Sequence, residues 1–244
     1  MRNYEICDLH GHFLPGIDDG SGSVEESLKM LESAQEQGIA MMFATPHYYS
    51  NESVTDFLHR RNKSMTQLQE AMARQGGRYP EICLGAEVAY RRGIGNAEEL
   101  EKLCLGCSGY LLLEMPFAPW DRAVFQDLSS MINVRGIVPV IAHIERYLHM
   151  QKREQIERLL GQDVLVQMNA SMLLSWSTRG KARRLLESGI VHLLGSDCHN
   201  MQNRAPNMGA ALDYLEKKGL NGIIRRVAAD SMTIYREAVT EQSV

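Results

Sequence analysis

Residues 4–20 read Tyr4-Glu5-Ile6-Cys7-Asp8-Leu9-His10-Gly11-His12-Phe13-Leu14-Pro15-Gly16-Ile17-Asp18-Asp19-Gly20, and this stretch decides the fold class. Its first part, Tyr4–Leu9, has the composition of a β-strand. An open, doubly wound nucleotide-binding sheet would carry a glycine-rich phosphate loop directly after that strand. Two histidines and an acidic pair stand there instead. Side chains repeat every two residues in an extended chain, so His10 and His12 face the same side, and Gly11 lets the backbone lie close to whatever they face. Such a strand exit suits the mouth of a parallel β/α barrel, where functional side chains gather at the C-terminal ends of the strands.

Outward from this stretch, β-rich runs alternate with amphipathic segments. Further strands are expected at Ala40–Ala44, Ile82–Ala86, Tyr110–Leu113, Ile137–Ala142, Val164–Met168 and Val191–Leu194. Helices are expected near 24–37, 54–75, 96–104, 122–135, 152–161, 179–188, 208–218 and 221–238. Ser23 and Glu26 match a capping box, and Gly38, Gly76 and Gly189 stand where left-handed C-terminal caps fall. Each helix supplies the crossover between parallel neighbours, so the expected fold class is α/β with a parallel sheet, and a closed or nearly closed barrel suits it better than an open sheet.

The 244 residues suffice for one large core, and 44% hydrophobic with 23% charged residues is ordinary for a globular protein. A formal charge of −4 provides no basic field for gripping nucleic acid. No run approaches the ~20 apolar residues of a membrane span, and the start, Met1-Arg2-Asn3-Tyr4-Glu5, runs straight into the first strand, against a signal peptide. Five cysteines with a single C-x-x-C pair, Cys104 and Cys107, suggest reduced thiols and a cytoplasmic protein.

The strand exits repeat one chemistry. After the first come His10, His12, Asp18 and Asp19; after the second, Thr45-Pro46-His47. Glu87 ends the third and Glu114 the fourth. His143 ends the fifth, followed by Glu145 and Arg146; Asn169 ends the sixth, and Ser196-Asp197-Cys198-His199 the seventh. Any one of these has an ordinary explanation, because a lone H-x-H is common and a lone His47 or Glu87 is usually a cap or a surface group. Together they call for compensation, since charges and imidazoles are costly at apolar strand ends, and a metal cluster compensates all of them at once. His59, His149 and His192 fall outside the pattern and read as structural. Nitrogen and oxygen donors suit manganese, iron, cobalt or zinc, and eight or more of them exceed the needs of one ion, implying two or three. Clustered divalent ions favour phosphate-ester hydrolysis, polarising phosphoryl oxygens and lowering the pKa of a bridging water. Arg146 and Arg204, beside the fifth and seventh sets, fit bidentate phosphate contacts, although each taken alone is equally a salt-bridge partner.

These blocks resemble the polymerase and histidinol phosphatase (PHP) superfamily, and within it the metal-dependent tyrosine phosphatases of bacterial capsule and exopolysaccharide loci. The likeness rests on residues 8–20, Ala44-Thr45-Pro46-His47, Gly85-Ala86-Glu87, Leu112-Leu113-Glu114, residues 141–147 and Gly195-Ser196-Asp197-Cys198-His199-Asn200. The resemblance implies a distorted seven-stranded β/α (TIM-like) barrel, one domain over residues 1–244, holding a trinuclear site usually served by manganese. His10, His12, Glu87 and Asp197 would hold one ion, Glu87, Glu114 and His143 a second, and Asp19, His47 and His199 the third, with Asp18 as the alternative within the acidic pair. It further implies that Arg146 and Arg204 position phosphate, and that the partner is a phosphotyrosine-bearing protein, the tail of a cognate kinase controlling polysaccharide export. Gly11 and Cys198 depart from the family's usual residues without touching an expected ligand.

Cys198 and Arg204 also satisfy the C-x5-R spacing of cysteine phosphatases, but the segment between them lacks the glycine that a phosphate-cradling loop needs. Histidinol phosphate or another small phosphate ester is the rival substrate, and a degenerate binding module the non-enzymatic alternative. Tyr48, Tyr49, Phe117 and Trp120 lie in loops at the expected mouth, where they either stack on a substrate ring or pack the loops.

Overall fold

A computed structural model describes residues 4–240. Residues 1–3, from which a direct run into the first strand was expected, and 241–244 lie outside the described residues. Nine short strands form two sheets whose pairings are all parallel. One sheet contains β1 (Cys7–Asp8), β2 (Met41–Ala44) and β4 (Glu81–Leu84) in the order β1-β2-β4. The other contains β3 (His47–Tyr48), β5 (Glu87–Ala89), β6 (Tyr110–Glu114), β7 (Val138–Ile141), β8 (Leu165–Asn169) and β9 (Leu193–Gly195), each paired with the next. The result is a mixed α/β fold built on a curled parallel sheet, a half-barrel.

Among the described residues the pairings of the expected barrel run in two sheets. The expected second strand, Ala40–Ala44, ends as expected, and the chain resumes as β3 after Thr45-Pro46; the expected third, Ile82–Ala86, stops at Leu84, with Gly85-Ala86 separating β4 from β5. Pro46 has no N–H to give to a ladder. At Gly85 any Cβ would lie 2.7 Å from Leu105 Cδ2. The register survives the break: Ala44 pairs with Leu84 and His47 with Glu87, at the same offset. The sheet edges approach where Gly11 bridges Cys198, with His12 N donating to Cys198 O (2.8 Å) and Asp197 N to His10 O (2.9 Å).

Helices α1 (Val24–Glu36), α2 (Val54–Gln75), α3 (Arg122–Arg135), α4 (Arg153–Leu160), α6 (Arg179–Glu187) and α7 (Met208–Lys217) fall within a few residues of expectation. Ser23 caps α1 by accepting from Glu26 N, while the Glu26 carboxylate reaches Gly22 N. The helix expected over 96–104 is instead two 3₁₀ turns, Ile94–Asn96 and Leu100–Leu103, separated by Glu99 in the left-handed region (φ 59°). The short α5 (Ser171–Leu174) carried no sequence signal. Helix α8 (Asn221–Thr240) packs Met232, Tyr235 and Ala238 against strand-start residues Cys7 and Met41, closing the end opposite the strand exits. No helix among the described residues is long and apolar enough to cross a membrane.

The interior cluster explains how the sheet aims side chains. Met41 and Phe43, Cys83, Leu112, Leu165 and Leu193 belong to it or pack on it. Two-residue steps along the same strands lead to His47, Glu87, Glu114, Gln167 with Asn169, and Asp197. Each inward stripe is apolar below and polar at the top.

Candidate metal centre

All nine expected ligands gather at the top of those stripes. Glu87, 1% exposed, is the meeting point. Its Oε2 lies 3.2 Å from His10 Nε2, 3.1 Å from His12 Nε2 and 3.1 Å from His47 Nδ1, and its Oε1 lies 2.8 Å from His143 Nε2. Glu114 Oε1 stands 3.4 Å from the same His143 nitrogen. Asp197 Oδ1 faces His10, His12 and His199 at 3.4, 3.6 and 3.6 Å. Asp19 Oδ1 lies 3.3 Å from His47 Nε2 and 3.5 Å from His199 Nε2.

Three groups of donor atoms fall within 4.8 Å of one another: His10, His12, Glu87 and Asp197; His12, Asp19, His47 and His199; and His47, Glu87 and Glu114. The first is the set that the resemblance implied. The second adds His12 to the implied set. The third takes His47 in place of His143, which nonetheless touches both of its carboxylates.

Two of these residues sit on strained backbone. His143 (φ 33°) and Asp197 (φ 52°) are non-glycine residues in the left-handed region. Strict alternation would send His143 outward, out of phase with interior Val140 and Ala142; the left-handed turn at the end of β7 aims it inward. Strain of about 1–3 kcal/mol persists only where surroundings enforce it, and it concentrates at functional sites.

The acidic pair divides its work. Asp18 is largely buried; its Oδ2 accepts from His12 Nδ1 (2.8 Å) and His47 N (2.9 Å), and its Oδ1 from Gly20 N (3.0 Å). Gly20 permits this fold-back, since a Cβ there would stand 2.1 Å from His12 O. Asp19 is 67% exposed and reaches the imidazoles from the solvent side. Asp18 thus orients His12, presenting Nε2 to the centre, while Asp19 keeps its carboxylate toward His47 and His199.

Sequence reasoning missed Gln167. Fully buried, it accepts from His143 N through Oε1 (2.6 Å), the same oxygen lying 3.4 Å from His10 Nδ1, and it donates through Nε2 to Asn169 Oδ1 (3.0 Å). Asn169 Nδ2 donates in turn to Asp197 Oδ2 (2.8 Å). The available signal was two amides on the inward stripe of an otherwise apolar strand, Leu165-Val166-Gln167-Met168-Asn169. Tyr147, whose OH lies 3.2 Å from His143 Nδ1, is a further supporting group.

Arg146 and Arg204, each about one-third exposed, place Nη2 at 2.8 and 2.6 Å from Asp197 Oδ2. With Asn169, three donors saturate that oxygen and leave Oδ1 to the imidazoles. Burial opposes the charge on Asp197, but His10, His12 and Arg204 hold its carboxyl well below the usual range. Glu87 is held low in the same way: burial opposes, and His10, His12 and His143 prevail. His47 Nδ1 and His199 Nε2 are buried without an aligned hydrogen bond, their nearest carboxylate oxygens being Glu87 Oε2 (3.1 Å) and Asp19 Oδ1 (3.5 Å), a costly state for imidazole nitrogens that a cation relieves.

Among the four mouth aromatics, Tyr48 and Trp120 are buried and pack the loops, while Tyr49 and Phe117 are exposed. His59 and His149 are exposed, and His192 Nδ1 accepts from Val166 N (3.1 Å). Cys198 is fully buried and its thiol is pushed up to about 12 by burial, which removes it as a thiolate nucleophile. Its Sγ lies 3.3 Å from where a Cβ on Gly11 would stand.

A family model described as "Capsular polysaccharide synthesis, CpsB/CapC" matches residues 6–234. Tyrosine-protein phosphatase CpsB of Streptococcus pneumoniae is 31% identical over 225 residues, covering 87% of this chain and 90% of the relative. Tyrosine-protein phosphatase YwqE of Bacillus subtilis is 29% identical, covering 87% and 85%. A crystal structure from work on those two proteins, described as unique metal-dependent tyrosine phosphatases, superposes with a TM-score of 0.82 at 25% identity over 95% of both chains. A D-hydantoinase, TM-score 0.52 at 12% identity over 92% of this chain and 69% of its own, shares the fold alone.

Proposed function

Because the chain belongs to the CpsB/CapC family of capsular polysaccharide synthesis, we propose that it is a metal-dependent protein-tyrosine phosphatase acting on a phosphotyrosine-bearing protein. One observation carries this: a buried carboxylate, Glu87, meets four imidazoles, and Asp197 meets the same Nε2 atoms of two of them. The nitrogen and oxygen donors, and the two imidazole nitrogens left dry, fit divalent cations.

In this proposal His10, His12, Glu87 and Asp197 hold one ion, Glu87, Glu114 and His143 with His47 a second, and Asp19, His47 and His199 with His12 a third. Manganese is the proposed metal. When bound, the ions polarise the phosphoryl oxygens and acidify the attacking water. The protein's own part is orientation and charge. Asp18 and Gln167 fix the His12 and His143 rings. Arg146 and Arg204, partly exposed at the rim, turn from Asp197 toward an incoming phosphate and stabilise the charge on the transferred group. The buried Cys198 thiol takes no part, so no covalent enzyme intermediate forms.

The two sheets, joined by the Gly11–Cys198 bridge, read as a distorted seven-stranded PHP-type barrel comprising one domain over 1–244. The proposed partner is the tyrosine-rich tail of a cognate kinase, met in the cytoplasm.

The test is hydrolysis of a phosphotyrosine peptide by metal-stripped protein, with manganese, iron and zinc added back separately. Activity restored by manganese is expected. Activity that survives chelation, or a trapped phosphoenzyme, overturns the proposal.

A further inference from the structure

A single exposed apolar side chain is ordinary, but two exposed rings placed over one polar site form a pattern. Among the described residues the large hydrophobic side chains left exposed are Tyr49 (48%), Phe117 (55%), Val134, Leu174 and Trp176. Two of the five cover the candidate centre. The Tyr49 ring lies over His47 with centroids 5.3 Å apart and planes 26° apart. Phe117 lies over His143, 6.4 Å and 19°. Those two imidazoles contact different oxygens of Glu87, so each aromatic ring covers a different expected ligand of the one centre.

Both rings stand on anchored loops. Beside Tyr49, Tyr48 packs edge-on to Phe57 (5.2 Å) and donates its hydroxyl to Glu52 O. Three residues after Phe117, Trp120 packs on Tyr147 (5.6 Å), and its backbone N–H donates to Gln151 Oε1 (2.9 Å). The neighbours carry most of the packing, leaving about half of each ring exposed: Tyr49 touches the His47 imidazole, and Phe117 touches His143 and, more closely, the Tyr147 ring (5.3 Å). Phe117 has no polar tip that would account for its position by hydrogen bonding.

Resting on the phosphatase reading above, we propose that Tyr49 and Phe117 form an aromatic clamp that selects aryl over alkyl phosphate esters. The phosphate sits over the metal ligands within reach of Arg146 and Arg204, and the ester's ring lies between the two side chains. Offset or edge contact with flat rings favours a phenyl group and gives nothing comparable to a serine-derived methylene. The clamp makes a general phosphoesterase bed specific for tyrosine.

The experiment compares metal-loaded wild type with Tyr49→Leu, Phe117→Leu and Tyr49→Phe. Leucine keeps apolar bulk and removes the flat ring; phenylalanine keeps the ring. kcat/KM is measured on phosphotyrosine and phosphoserine peptides of one sequence, and Kd on non-hydrolysable aryl and alkyl phosphonate versions of the same peptide. Each leucine variant is expected to lower the aryl-to-alkyl ratio about threefold to tenfold in both measurements, while Tyr49→Phe keeps the wild-type ratio. An unchanged ratio in both leucine variants, or no aryl preference in wild type, overturns the clamp. Ring-dependent binding without turnover would sink the hydrolase alone; turnover with ring-independent binding would sink the clamp alone.

Discussion

Asp18→Asn and Asp19→Asn should have opposite profiles, although the two carboxylates are adjacent in the chain. Asp18 uses both oxygens: Oδ2 accepts from His12 Nδ1 and His47 N, and Oδ1 from Gly20 N. An asparagine amide can keep its oxygen toward His12 and His47 only by turning its NH2 against Gly20 N–H. Weakening a charge-assisted bond to a neutral one costs about 1 kcal/mol, and leaving a buried N–H unpaired costs about 1–3 kcal/mol, together about 2–4 kcal/mol. For a chain of this length that lowers Tm by about 4–16 °C. Asp19, mostly in solvent, only presents a carboxylate oxygen to His47 and His199. Its replacement should change the stability of metal-free protein by no more than about 0.5 kcal/mol, while lowering metal content and activity. The assay is thermal unfolding in chelator, then metal analysis and turnover after reloading. If Asp18→Asn leaves Tm unchanged, or Asp19→Asn is the destabilising variant, the division of roles is wrong.

Gln167→Leu should strand His143 N–H and Asn169 Oδ1 and cost about 2–4 kcal/mol; because both ends of the relay orient proposed ligands, metal affinity should also fall about 10–100-fold, read by titration. Metal-free protein should be most stable near pH 6.5. His12 and His143 are pushed up to about 10 and 9, as hydrogen bonds to Asp18 and Glu87, and to Glu114 and Glu87, outweigh burial; their contribution is full below the unfolded pKa and is lost as pH rises through those values. His199 is pushed down to about 4 by burial, by His12 and by Arg204, so the unfolded chain takes its proton first and stability also falls between pH 6.5 and 4. Denaturant midpoints across that range should peak in the middle, and a monotonic profile would contradict the charge arrangement. Cys198→Ser should retain turnover per folded molecule, because the thiol is buried and un-ionised; loss of activity in a folded, metal-loaded variant would return the cysteine to the mechanism.

The parallel α/β class and the chemistry of the strand exits were legible in the sequence by itself. Strand identity follows from short apolar runs, and position at a strand's C-terminal end is a matter of counting, so His10, His12, His47, Glu87, Glu114, His143, Asp197 and His199 could be placed before any contact was known. Other features were decided in three dimensions. The breaks at Thr45-Pro46 and Gly85-Ala86 depend on a neighbouring strand and on Leu105, both remote in the chain. The loss of a helix over 96–104 follows from a left-handed Glu99 that local propensity does not specify. The choice between Asp18 and Asp19 rests on a loop folding back onto His12, and the Gln167–Asn169 relay joins three strands. Residue type records what a side chain can bind; which partner it meets, and which of two adjacent carboxylates turns inward, is set by contacts between segments that the linear order leaves far apart.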